Sequence, residues 1–342
     1  MIQVNTSSSL EVNTKQDVLL LSQALLPVYE DLQQLKPLLQ KYLAVKTESG
    51  RAILQHVFAS EGKLVRPAMF FLVSRMLSYR GKHLMPIAAV CEYVHTASLL
   101  HDDVVDSSQL RRNKPTSNSI WGDEAAVLVG DLIYSTASEM MANTGYLEIV
   151  KVFASSIKKM SEGELLQLEH LFSLDISQET YFAILGGKTA VLMGAACRAA
   201  GILAEATQDQ KDALEGFGYS LGIAFQLIDD ALDYRSSQTI FGKEIHADLY
   251  EGKVTLPLIL LREHAGPTEL ECLKQIFAKE RMSHTDVQYV SGLVEKYETA
   301  EKVLKTARNY TQRALGLLTN FPPNEERSHL ENLANSLVFR SH

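Results

Sequence analysis

Cysteine, proline and glycine are scarce in this chain. Its 342 residues include three cysteines, Cys91, Cys197 and Cys272. They form no Cys-x-x-Cys pair and cannot all pair off, which excludes a disulfide framework and points to a reducing compartment. Nine prolines and nineteen glycines are thinly spread. No Pro/Ser/Gly-rich stretch divides the middle, so a length that would permit two domains is read as one. Basic residues are also in deficit: 33 Lys and Arg against 41 Asp and Glu give a formal net charge of −8. That balance argues against a general nucleic-acid binder, because phosphate backbones need clustered Lys and Arg. A run of about 20 apolar residues is missing too, so no membrane span is expected. Residues 1–14 are rich in Ser, Thr and Asn and lack the basic start and apolar stretch of a signal peptide, so they read as a polar tail. A soluble cytoplasmic protein is expected, with residues 15–342 as a single domain.

What is plentiful is apolar residues, 46% of the chain, recurring at helical spacing in most windows. The pattern predicts helices over 17–44, 49–60, 67–79, 85–106, 122–142, 145–172, 177–202, 207–234, 253–264, 267–280, 284–297, 298–319 and 325–339. No strand signal competes, and the fold class is all-α. Residues 87–105 and 217–232 are apolar or small on most sides, which marks central buried helices. Their small residues (Ala88, Ala89, Ala97 and Ser98; Gly218, Gly222 and Ala224) permit close helix approach or leave room between helices.

Each of these two stretches runs into an acidic cluster of the form Asp-Asp-x-x-Asp. The first is Asp102, Asp103 and Asp106; the second is Asp229, Asp230 and Asp233. On a helix, residues four apart share a face, and like charges at that spacing repel. A solvated helix end would explain one such cluster. Two, each directly after a buried apolar face, point to divalent metal held across a bundle interior. Oxygen-only ligands point to Mg²⁺, which uses one or two carboxylates with water and substrate phosphate. Cations recur beside the acids: Lys63 and Arg66 one turn apart before Pro67; Arg111, Arg112 and Lys114; Lys188 with Thr189 after two glycines; Lys243 and Lys253. Each alone is an ordinary surface charge. Together with carboxylate-bound Mg²⁺ they would hold a diphosphate. His95 shares the Asp102 face and is either a satisfied core histidine or a site residue. Gln226 shares the face of Asp229 and Asp233, and Phe225 is either core or a ring facing a cation.

These motifs resemble the trans-polyprenyl diphosphate synthases, strongly over residues 50–260 and weakly over most of the rest. The matching text is Gly62-Lys63-x-x-Arg66-Pro67, His95 through Asp106, Arg111-Arg112, Val129-Gly130-Asp131, Gly187-Lys188-Thr189, Phe225 through Asp230, and Asp248-Leu249-x-Glu251-Gly252-Lys253. The closest flavour is that of bacterial long-chain, octaprenyl-type enzymes. The resemblance implies a bundle of about 12–13 helices around a central prenyl-binding cavity, the isoprenoid synthase fold. It makes Asp102, Asp106 and Asp229 the primary Mg²⁺ ligands, with Asp103, Asp230 and Asp233 in support, and adds Lys188 and Lys243 to the residues that carry catalysis. It assigns isopentenyl diphosphate to Lys63, Arg66, His95 and Arg112. It assigns the allylic diphosphate, such as farnesyl diphosphate, to Arg111, Lys188, Thr189, Gln226 and Lys243. Three positions depart from the family pattern: Asn113 and His246 stand where Gly is usual, and Asp123 where Asn is usual.

The implied reaction is repeated head-to-tail (1′–4) condensation of isopentenyl diphosphate onto the allylic chain. Short-chain relatives carry bulky residues four and five positions before the first aspartate. Here those positions are Ser98 and Ala97, with Val94 one turn further down. Ser138 is too small to close a tunnel, which leaves Met140 or Met141 as its floor. A helix of about 20 residues flanks about 30 Å of tunnel, and a product of about C35–C50 is expected, with C40 favoured by the resemblance. A homodimer without a transmembrane segment, touching membrane transiently at product release, is expected from the family. The alternatives are a shorter-chain synthase, a relative that ionises a prenyl diphosphate without condensing it, and a non-catalytic subunit of a heteromeric synthase. The basic set at Lys63, Arg66 and Arg112 and the two intact acidic clusters argue against the last two.

Overall fold

A computed structural model describes residues 22–59, 62–111, 114–235, 246–279 and 281–338. The predicted polar tail, Arg112, Asn113 and Lys243 lie outside the described residues.

A short 3₁₀ turn, Leu26–Val28, leads into α1 (Tyr29–Lys41). Then follow α2 (Glu48–Phe58), α3 (Val65–Met76) and α4 (Leu84–Val105). A two-residue antiparallel pair, β1 (Leu110–Arg111) with β2 (Lys114–Pro115), follows α4. The chain continues through α5 (Ser117–Trp121), α6 (Asp123–Ala142), α7 (Leu147–Glu169), α8 (Gln178–Leu185), a π-turn over Gly186–Ala190, α9 (Val191–Leu203) and α10 (Gln208–Arg235). It ends with α11 (Ala247–Tyr250), α12 (Leu256–His264), α13 (Pro267–Phe277), α14 (His284–Lys296), α15 (Thr299–Leu318) and α16 (Glu325–Val338).

Hydroxyl caps start several of these helices where the sequence supplies Ser or Thr. Thr47, Thr116 and Ser177 accept from the amides of Gly50, Ser119 and Thr180 at the heads of α2, α5 and α8. Ser283 and Asp286 form a reciprocal capping box on α14. Such caps satisfy amides that the helix itself leaves without partners.

The long helices α4 and α10 occupy the centre. Helix α4 packs chiefly on α6 and α3, and α10 packs on α15 and α9. One apolar cluster gathers Phe70, Phe71, Tyr93, Phe153 and Phe217 from α3, α4, α7 and α10. A second gathers Leu227 and Ile228 from the later half of α10 with Leu258, Val290 and Val303 from α12, α14 and α15. Both clusters therefore lean on α10, and the second aspartate cluster lies among the second core's residues, between Ile228 and Tyr234. The expected close approach is real. A Cβ at Gly222 would lie 2.5 Å from the Ala190 Cα, so only glycine lets α10 meet the π-turn this closely.

The structure corrects the sequence reading in four places. The helix expected over 177–202 runs from Gln178 to Leu203 but widens into a π-turn inside it, and the one expected over 253–264 begins at Leu256. The helix expected over 17–44 contains a 3₁₀ turn in its described part and ends at Lys41. The hairpin and α5 interrupt a stretch read as loop. The span Gln178–Leu203 is also long and apolar enough to cross a membrane, against expectation, yet 67% of its apolar window is buried inside the fold.

Candidate active site

Helical geometry sorts the six aspartates. Asp102 and Asp106 share one face of the end of α4. Asp103 is rotated by about 100° from Asp102 and turns inward. It is 4% exposed, and its carboxylate accepts from Arg111 Nε at 2.8 Å. The second cluster repeats the arrangement. Asp229 is half-buried, whereas Asp230 is 2% exposed. The Tyr181 hydroxyl donates to Asp230 Oδ2 at 2.6 Å, and the Gln226 amide donates to Oδ1 at 2.9 Å. In each cluster the middle carboxylate is thus buried and held by donors from the protein, whereas Asp102, Asp106 and Asp229 are half-buried.

Lys253 reaches the first cluster from the turn before α12. Its ammonium lies 3.5 Å from Asp106 Oδ2 and 2.5 Å from Glu251 Oε2. Burial alone would lower its pKa. The charges of Glu251, Asp106 and Asp248 outweigh that cost and hold the ammonium above its usual range. On the opposite side, Lys188 extends from the π-turn to Glu164 Oε2 at 2.5 Å. The π-turn exists where two glycines let it lie against α7: a Cβ at Gly187 would stand 2.6 Å from the Lys159 carbonyl oxygen. Such single π-turns recur at functional sites. Burial, and next the charge of Glu164, pushes the Asp102 carboxyl up to about 6, while Lys188 and Arg111 pull it down. An all-oxygen donor set under mutual repulsion fits a hard divalent cation. Among the described residues, no three Asp, Glu, His or Cys side chains enclose an ion by themselves. A cation here would complete its shell with water and substrate oxygens.

Two cavities flank the carboxylates. The larger, about 310 Å³, lies between α2, α4 and the hairpin. Its walls include Gly62 and Leu64 of the loop that carries Lys63, together with His95, Asp103 and Arg111. Leu64 has φ 48°, so the chain turns sharply between Lys63 and Val65. His95 is half-buried and lines this cavity. Lys36, His56 and Lys114 also line it, and sequence reasoning missed their convergence. The smaller cavity, about 160 Å³, is walled by Tyr181, Lys188, Thr189, Gln226, Asp230, Asp248 and Lys253. Thr189 donates to Gln226 Oε1 at 3.1 Å there. Arg111, expected with this second group, lines the larger cavity instead, while its charge still reaches Asp102.

Phe225 packs on the core. Asp233 is 9% exposed on the buried side of α10. Val94 and Ala97 are fully buried on α4, and Ser98 donates to the His95 carbonyl at 2.8 Å. Ser138 is corrected as a tunnel residue. Helix α6 turns Ile133, Ala137 and Met141 inward at helical spacing, so Ser138 faces outward and bonds back to the Tyr134 carbonyl. Met141 is 2% exposed, and Met140 packs half-buried beside it. His246, the departure from glycine, has φ 61°, the left-handed conformation that glycine adopts without strain. Asp123 opens α6, where a negative charge meets the positive end of the helix dipole.

Two carboxylate clusters flanked by two cation-lined cavities, in an almost wholly helical fold, suit anionic ligands. A polyprenyl synthetase family profile matches residues 48–294. Octaprenyl diphosphate synthase of Escherichia coli (strain K12) is 37% identical over 285 residues, covering 83% of this chain and 88% of that one. The crystal structure of a decaprenyl diphosphate synthase from Rhodobacter capsulatus superposes with a TM-score of 0.89 at 32% identity, covering 94% of this chain and 99% of that one. A polyprenyl synthase from Caulobacter crescentus CB15, complexed with calcium and isoprenyl diphosphate, gives 0.89 at 34% identity, covering 94% and 98%. The chain belongs to the polyprenyl synthetase family and is a prenyltransferase of the trans-polyprenyl diphosphate synthase class.

Proposed function

We propose that this protein elongates an allylic diphosphate by successive 1′–4 condensations with isopentenyl diphosphate, in the presence of Mg²⁺, to a long all-trans product of about C40, a length flanked by an α4-sized helix of about 30 Å. One observation carries the reading: two separate cation-lined cavities flank the acidic clusters, the larger walled by Asp103 and the smaller by Asp230. A single ionised substrate would need only one.

Lys63, Arg66, His95 and Arg112 serve isopentenyl diphosphate; of these, His95 lines the larger cavity, joined there by Arg111. Lys188, Thr189, Gln226 and Lys253 serve the allylic diphosphate in the smaller one, with Lys243 from the segment before α11. Asp102, Asp106 and Asp229 would hold Mg²⁺, which supplies positive charge to the leaving diphosphate oxygens. Lys188 and Lys253 add fixed charge where negative charge develops as the allylic C–O bond breaks. The double bond of isopentenyl diphosphate then attacks the allylic carbon, and the proton lost from the new chain leaves with the released pyrophosphate. No side-chain nucleophile takes part. Apolar walls such as Leu39, Phe58, Leu99 and Leu100 exclude the water that would quench the cation.

The growing tail runs down α4 past Ser98, Ala97 and Val94 toward Met141. The product suits the side chain of a respiratory quinone or a similar lipid. The protein acts in the cytoplasm as a homodimer, with transient membrane contact at product release. Exposed Leu128 on α6 and Leu165 on α7 are apolar surface that pairing would cover. Incubation with isopentenyl and farnesyl diphosphates plus Mg²⁺, followed by product chromatography, tests the reading. A prenyl series ending near C40 supports it. Pyrophosphate or a terpene without condensation refutes it.

A further inference from the structure

We propose that Tyr181 and Asp230 form a buried anchor that sets the orientation of Gln226 and Thr189 in the allylic cavity, making Tyr181 a positioning residue for that substrate alone. This rests on the assignment of the smaller cavity to the allylic diphosphate.

Four side chains from three elements form one chain of hydrogen bonds. Tyr181 of α8 donates to Asp230 Oδ2 at 2.6 Å, Gln226 of α10 donates to Asp230 Oδ1 at 2.9 Å, and Thr189 of the π-turn donates to Gln226 Oε1 at 3.1 Å. The direction of every bond follows from its buried end. An ionised carboxylate only accepts, so the Gln226 atom turned toward Asp230 is the NH₂. The other end of that amide is then an oxygen, and the Thr189 hydroxyl must spend its proton on it. The charge on Asp230 therefore dictates which lone pairs Gln226 and Thr189 present to the cavity, although Asp230 itself is 2% exposed.

Tyr181 holds the far side. It is 3% exposed and supplies the second donor that a buried carboxylate requires. Its ring packs edge-on to Phe182 at 5.3 Å, so the hydroxyl has little freedom. Without that hydroxyl, Asp230 Oδ2 loses a charge-assisted bond, and the carboxylate can turn and release the Gln226 amide. The consequence falls on the π-turn that carries both Thr189 and Lys188. The larger cavity shares none of these four residues.

Steady-state kinetics of Tyr181→Phe test the anchor. The expected result is a tenfold or greater fall in kcat/KM for farnesyl diphosphate, with KM for isopentenyl diphosphate within twofold of wild type. Asp230→Asn keeps the volume and supplies an amide that lets Gln226 invert, so it should show the same selectivity with Tyr181 intact. The double variant Tyr181→Phe with Gln226→Ala should lose no more than Gln226→Ala alone, because the anchor reaches Thr189 only through Gln226. Unchanged farnesyl kinetics in Tyr181→Phe, equal losses on both substrates, or additive losses in the double variant would overturn the anchor. Loss of folding in Tyr181→Phe combined with wild-type selectivity in Asp230→Asn would overturn it as well. Wild-type enzyme that fails to condense the two substrates would instead remove the assignment of the cavity, which keeps the two failures distinct.

Discussion

Replacing Asp102 by asparagine should make the substrate-free protein more stable while removing its activity. The Asp102 carboxyl is pushed from 3.8 up to about 6, first by burial and then by the Glu164 charge. An acid whose folded pKa lies above its unfolded value binds an extra proton in the folded state between those two values. Stability is therefore lost as pH rises through that window, and the whole cost is present above it. Two pKa units at 1.36 kcal/mol each set a ceiling of about 3 kcal/mol. Partial solvation of the half-buried group brings the expected gain to about 1–2 kcal/mol. In a chain of this size that is a rise of about 2–4 °C in Tm. Thermal melts of wild type and Asp102→Asn without divalent metal, at intervals from pH 4 to pH 8, read it directly. The two curves should coincide near pH 4, separate through pH 6 and stay separated above. A difference that does not depend on pH, or an asparagine variant less stable at pH 8, would refute the electrostatic reasoning. Such a trade of stability for function is a common feature of active sites.

Three further outcomes follow from the same geometry. Arg66→Ala should raise KM for isopentenyl diphosphate by roughly 10–100-fold, the worth of one charge-assisted hydrogen bond, with much less effect on farnesyl diphosphate; initial-rate kinetics in both substrates check the split. His246→Gly should raise stability by about 1 kcal/mol, since a left-handed conformation strains every residue except glycine, and urea denaturation reads the change. Ala97→Tyr should shorten the product to about C15–C20, the tail that fits above a plug one helical turn below the carboxylates. Chromatography showing an unchanged product from an active Ala97→Tyr enzyme would contradict the path along α4.

The long helices were legible because their apolar period is strong and α4 and α10 are buried on most sides. The rotation that separates Asp102 from Asp103 was legible too, since it is a property of any helix. The π-turn at Gly186–Ala190 was not, because the apolar pattern runs through it. The two glycines there gave the only hint, and their reason lies in a close approach to α7 that the local sequence does not encode. Glu164 and Tyr181 escaped for a related cause. Each looks like an ordinary helix residue until Lys188 and Asp230, the latter 49 positions away, are brought beside it. Ser138 was misplaced because the family pattern was followed where the helical angle of α6 should have decided. His246 was legible only as a departure from the usual glycine; its φ of 61° is the backbone feature that explains why glycine is usual there.

The central claim is that both carboxylate clusters act together on one ionising diphosphate. Turnover of Asp102→Ala and Asp229→Ala with farnesyl and isopentenyl diphosphates at saturating Mg²⁺, on protein shown by circular dichroism to be folded, tests it most directly. Each variant should lose at least about a hundredfold, the scale of removing one group that stabilises transition-state charge. Near wild-type turnover in either folded variant would contradict the account.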